Sequence, residues 1–264
     1  GRVPGNIAGL AFVFGKVASA GAAALTIGTY LAPTHATLIG LAAVAVMITL
    51  DLRGVSRTAA VCAVSATVVL VALTLLITWT FASAPAVTNQ TVQPSAPGPV
   101  GVLAASGILF VAFAGYARVA TMGEEVRDPG RTLPRAIALS IAVVFVVYVA
   151  VGSAVLHYIG PLDVREAAPL RQLAAIVAGP LMVDTVQIAA VVAAGGALLS
   201  LLAGVGRTLF AMSREGDAPA ALMRVSGTGV PQRAQITAAV GAGVVVLIGG
   251  IGAALAVSGA SILT

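Results

Sequence analysis

The residues of this chain that could do chemistry are few, and most stand where charge is expensive. Lys16 lies about ten residues into an apolar run that opens near Ile7. An ionisable group at such depth is costly enough to be a functional hypothesis by default. On a helix Lys16 shares a face with Ser19 and Ala23, so it could line a polar pathway or occupy a coupling-ion position. It could equally snorkel toward the headgroups or pair with another helix. Arg118, inside a later run, could attract a carboxylate or pair with Glu124 or Glu125 across an inner gate. Ser200 follows Gly195 and Gly196; it is the best-placed hydroxyl for a bound ion or substrate, in a stretch whose small residues also suit close helix packing. Asp184 falls near an outer helix start. His157 falls near an outer helix end, where an interfacial place and a proton-coupling role are both open. Enzyme constellations are absent: no Cys/His metal spacing, no G-x-S-x-G, no phosphate loop, and only two histidines. No cofactor or metal is expected, and the single Cys62 leaves no intramolecular disulfide to form.

The elements that must position these residues are legible from composition. Of 264 residues 59% are hydrophobic and 9% charged, with a mean hydropathy of +1.07, whereas soluble domains carry about 25% charge. The chain is an integral membrane protein. Its net charge of +5 does not point to nucleic acid, because the basic residues sit between apolar spans rather than among exposed stacking groups. Seven spans can be read, at 7–32, 36–50, 55–82, 99–126, 133–160, 180–213 and 232–257, with 36–57 readable as one helix and its turn. All thirteen prolines fall at or between span ends, so none is interior. The runs are unbroken and rich in Ala, Leu and Val, which excludes the alternating strands of a barrel and leaves helices as the spanning structure.

Ten basic residues, from Arg2 and Arg53 to Arg224 and Arg233, gather at alternate span ends against two, Arg165 and Arg171, at the others. That asymmetry puts the N-terminus in the cytoplasm. The uncharged stretch 82–98 reads as an external linker, and 165–178 as an amphipathic helix on the outer surface.

The most informative stretch is 107–150. A helix over 99–126 would run about 42 Å against a hydrocarbon core of about 30 Å. Either an ordinary tilted helix with packing glycines absorbs the excess, or the helix unwinds near Gly107 or Gly115 and its freed backbone groups bind a ligand's charged ends. The loop 124–135 (EEVRDPGRTLPR) is an inner, salt-linked turn in which Pro129 ends one helix and Pro134 starts the next. A second inner loop, 206–235, follows the same logic.

The run F-x-x-F-x-G-Y-A-R-x-A-T-x-G-E-E-V-x-D-P-x-R-T-x-P-R-A-I, from Phe110 to Ile137, together with GRTLFAMSREGDAP at 206–219, resembles two motifs of the amino acid–polyamine–organocation (APC) transporters. These are that family's sixth helix with its following loop, and the loop between its eighth and ninth helices. The resemblance implies an all-α, LeuT-type five-plus-five inverted-repeat fold. It covers the whole chain but only the family's third to ninth helices, about seven of the usual twelve. Residues 1–264 are therefore expected to form one incomplete membrane transport domain, unable to transport alone.

The resemblance further implies secondary active transport of an amino acid or related amine in the plasma membrane, with membrane lipid and a coupling ion as the other partners. Carried over residue by residue, the substrate segment is Ala112, Phe113, Ala114, Gly115 and Tyr116, with Phe110 and Val111 where relatives place a gating aromatic. Many members read G-F-E where this chain reads Gly115-Tyr116-Ala117 and then Arg118, so no acidic role carries over. A non-transporting membrane scaffold or inactive remnant is the alternative, with a membrane enzyme third.

Overall fold

The computed structural model describes residues 2–53, 55–82, 98–113, 115, 128–159, 168–225 and 230–263. Every regular element among them is helical: α1 (Arg2–Leu31), α2 (Ala36–Asp51), α3 (Val55–Ala82), α4 (Pro99–Phe113), α5 (Pro129–Tyr158), α6 (Pro169–Val177), α7 (Pro180–Arg214), α8 (Gln232–Ile248) and α9 (Ile251–Leu263), with short 3-10 turns at Pro33–His35 and Ala220–Met223. Stretches within α1, α3, α5 and α7, and Pro33–Asp51, are long and apolar enough to cross a membrane. This is a multi-pass membrane protein.

Proline sets several starts. It has no N–H to leave unpaired in the first turn, and α4, α5, α6 and α7 each open on one. In α5 the opening proline is Pro129, and the N–H groups of Arg131 and Thr132 fold back on the Asp128 carbonyl. Pro129 therefore starts a helix rather than ending one, and Pro134 stands inside α5, against the expectation of proline-free helix interiors. At that position the missing N–H forfeits only a bond to Gly130, in the helix's first turn. The last span, expected over 232–257, is two helices separated at Gly249 and Gly250. Two adjacent glycines remove enough helix propensity to end α8 although apolar residues continue on both sides. The amphipathic segment expected over 165–178 contains α6, which buries Leu173 and Ala174.

Two compact units can be distinguished, one formed by residues 1–69 and 187–264 and one by 70–186. In the first, α1 packs against α2, α8 and α9, and small side chains make this possible. A Cβ on Gly28 would collide with the backbone of Ala36, and one on Gly21 with Val245. Val17 lies 3.0 Å from the Cβ that Gly241 lacks. The pairs Val17–Gly241 and Gly21–Val245 advance four residues on both helices, so α1 and α8 run parallel. Between them sits a core of Ala20, Ala24, Ala238, Ala242 and Val246, joined by Leu198, Leu202 and Val205 of α7. The Ser19 and Ser258 hydroxyls share a hydrogen bond of 2.6 Å, tying α1 to α9.

The end of α7 is a built stop. Gly216 takes a left-handed φ of +80°, the Asp217 N–H bonds the Met212 carbonyl at 2.8 Å, and the Gly216 N–H bonds that of Ser213, the paired pattern that satisfies helix-end carbonyls. The Ser213 hydroxyl donates to the Pro219 carbonyl at 2.6 Å, and Asn6 Nδ2 of α1 donates to Asp217 Oδ1 at 3.2 Å.

In the second unit Leu76, Ala154, Val155, Tyr158, Leu173 and Val186 form a smaller core. It is pinned by the Tyr158 hydroxyl donating to the Thr80 carbonyl at 2.9 Å and by Trp79 Nε1 donating to the Val177 carbonyl at 3.1 Å.

Candidate functional site

The sequence offered two readings of the stretch that opens at Pro99, and the geometry separates them. Helix α4 has 15 residues and ends at Phe113, and Gly115 lies in a turn, so no continuous helix runs through 126. At about 1.5 Å per residue α4 spans roughly 22 Å. A helix entering the hydrocarbon core at Pro99 would thus stop about three quarters of the way across. Among the described residues a Cβ on Gly107 or on Gly115 would meet nothing within 4 Å.

A helix that ends inside a membrane presents carbonyls without intrahelical partners and the negative pole of its dipole, equivalent to roughly half an elementary charge. Lipid cannot satisfy them, so other protein groups or a ligand must. One partner is on hand. Tyr148, two thirds of the way along α5, points its hydroxyl at the Ala112 carbonyl at 3.4 Å, and its ring meets that of Phe113 edge to face at 5.4 Å between centroids, a favourable aromatic geometry. Ala112 and Gly115 are exposed and Phe113 half-buried. Chemically, such an end suits a cation or an ammonium group.

Of the other substrate-segment residues, Phe110 and Val111 belong to the last turn of α4, while Ala114 and Tyr116 lie outside the described residues, as do Arg118, Glu124 and Glu125. Lys16 and Ser200 belong to the first unit. Lys16 is half-buried on α1 with its ammonium 5.6 Å from the centroid of Phe12, a cation–π contact. Among the described residues it makes no ion pair. One helical turn on, Ser19 carries the bond to fully buried Ser258, so that face of α1 is polar from Lys16 to Ser19. Ser200 is half-buried on α7. Asp184 and His157 are exposed. Among the described residues no group of His, Cys, Asp or Glu could hold a metal ion.

Sequence reasoning missed Tyr148, which carries no motif and reads as one more aromatic in an apolar run. It also passed over Asn6 and Gln235. Gln235 is 1% exposed, and its Oε1 has no hydrogen-bond partner among the described residues; a Cβ on Gly206 of α7 would lie 3.2 Å from the Gln235 Cα.

Comparison with known proteins agrees with the motifs. An uncharacterised transporter of Mycobacterium tuberculosis is 41% identical over 234 residues, which is 88% of this chain and 53% of that protein. The branched-chain amino acid permease BcaP of Bacillus subtilis is 34% identical over 50% of this chain and 29% of its own. The D-serine/D-alanine/glycine transporter of Escherichia coli K12 is 29% identical over 52% and 29% respectively. The chain spans about half the length of the Mycobacterium relatives it matches. The amino acid permease profile matches residues 1–264 without remainder, and the chain belongs to the amino acid permease family.

Proposed function

We propose that this chain forms part of a secondary active transporter that moves an amino acid or related amine across the plasma membrane by alternating access, coupled to a proton or sodium gradient or to exchange. The observation that carries the reading is the end of α4, an apolar helix of 15 residues, at Phe113, where the last-turn carbonyls and the dipole's negative pole suit an ammonium group. Family membership and the names of the relatives, one a branched-chain amino acid permease and one a D-serine/D-alanine/glycine transporter, favour a small neutral amino acid over a polyamine. In this reading the fold is the LeuT-type inverted repeat, with the substrate held along Phe110 to Tyr116 and the N-terminus cytoplasmic. Arg118 with Glu124 or Glu125 closes the inner gate. Lys16, charged in an apolar helix and stacked on Phe12, takes the coupling position, and Ser200 offers a hydroxyl to the ion or substrate.

Proteoliposomes carrying the full-length parent test this directly. They should accumulate labelled small neutral amino acids when a proton or sodium gradient is imposed. Neither uptake nor binding of any amino acid or polyamine would overturn the substrate class. Lys16→Gln should abolish the response to the gradient while leaving exchange between internal and external substrate; gradient-driven uptake at the wild-type level would remove Lys16 from the coupling role.

A further inference from the structure

We propose that Tyr148 is a positioning residue of the substrate segment. Its hydroxyl holds the Ala112 carbonyl and its ring braces Phe113, which fixes where α4 stops and which carbonyls remain for a ligand's ammonium group. This rests on the reading of the α4 end as the substrate segment.

Three other hydroxyls along α5 show why Tyr148 is different. Ser140 and Ser153 turn back on their own helix, donating to Ile137 and to Val149 and Ala150, the usual way a serine satisfies itself in a membrane helix. Tyr158 reaches another helix from within a core, where it is 5% exposed. Tyr148 also reaches another helix, yet it stays 41% exposed. Its contact with α4 is made at an open surface beside exposed Ala112 and Gly115, not as part of a packed core.

The choice of carbonyl matters. Ala112 and Phe113 close α4, and the carbonyls of a helix's last turn are the ones open to partners outside the helix. A hydroxyl committed to the Ala112 carbonyl occupies one of them and leaves the others in that turn as acceptors for an incoming ammonium. The edge-to-face ring contact restricts the rotation of Phe113.

The test uses the full-length protein in liposomes and two readouts. Tyr148→Phe keeps the ring and removes the hydroxyl. Hydrogen–deuterium exchange without substrate should be faster in the peptide covering residues 99–113 than in wild type, and unchanged exchange overturns the proposal whatever transport does. With substrate, Tyr148→Phe should raise KM about three- to tenfold, the range that loss of one hydrogen bond gives, with maximal velocity within about twofold. A KM equal to that of wild type also overturns it. Tyr148→Leu, which removes the ring too, should lower maximal velocity as well. Wild-type protein that exchanges as expected yet transports no amino acid or amine would sink the transport reading while leaving the hydroxyl's hold on Ala112 intact.

Discussion

Helices α1 and α5 are both 30 residues long and both apolar enough to cross a bilayer, yet they live in different surroundings. Half of the apolar stretch of α1 is buried by protein, against 11% of that of α5. The difference lies in side-chain size. Helix α1 carries Gly9, Gly21, Gly28 and Ser19 where Met212, Val245, Ala36 and Ser258 approach. Helix α5 carries Leu139, Phe145, Val146, Val149 and Leu156, all exposed. Lipid tails are as apolar as leucine, so hydrophobicity alone does not draw helices together in a membrane; small residues that admit a neighbour's backbone do. Hydropathy identifies a span, and residue size tells how closely a neighbouring helix can approach it.

The sharpest way to break this comparison is to make one substitution in both helices. Gly28→Ala places a methyl group against the backbone of Ala36 and should cost about 3 kcal/mol or more, read as a lowered denaturation midpoint in detergent or as loss of folded protein. Next, Tyr158→Phe removes the donor that holds the Thr80 carbonyl in the second core, with an expected loss of about 1–2 kcal/mol by the same measurement. A smaller effect is expected from the Ser19–Ser258 bond. A double-mutant cycle with Ser19→Ala and Ser258→Ala should give a coupling of about 0.6 kcal/mol, the average for such bonds in membrane proteins, and zero coupling would mean that α9 is held by packing alone. Last, Gly152→Ala on α5, where the new methyl meets nothing within 4 Å among the described residues, should be neutral or stabilise by about 0.5 kcal/mol. If Gly28→Ala and Gly152→Ala behave alike, the contrast between the two helices fails.

Much of the fold was legible because proline and glycine act locally. Pro99, Pro169 and Pro180 each mark a helix start, and a proline's effect reaches only the four residues before it. Pro129 and Pro134 misled for the same reason: two prolines five residues apart both fit a first turn, and only the bonds to the Asp128 carbonyl decide which begins the helix. The pause at Gly249 and Gly250 was invisible because apolar residues continue on either side and no proline marks it. At the candidate site, the excess length of 99–126 foretold that a straight helix would not fit, and α4 ends inside that stretch. Tyr148 lay beyond reach. Its significance is its distance to Ala112, 36 residues away in sequence, and no local rule encodes a pairing between helices. Lys16 stood out early because charge in an apolar run is rare, whereas its Phe12 partner, one turn earlier on the same helix, was equally readable and was passed over.

The bond between Ser19 and Ser258 spans 239 positions of sequence, and that separation sets a schedule. At about 5–20 residues per second, a ribosome needs roughly 12–48 s after making Ser19 before Ser258 exists. Through that interval α1 is already made, and its Gly28 can meet Ala36 of α2 within seconds, while the faces meant for α8 and α9 have no partner. The α1–α2 contact can therefore form well before those with α8 and α9, and the face of α1 that carries Ser19 waits longest for its partner.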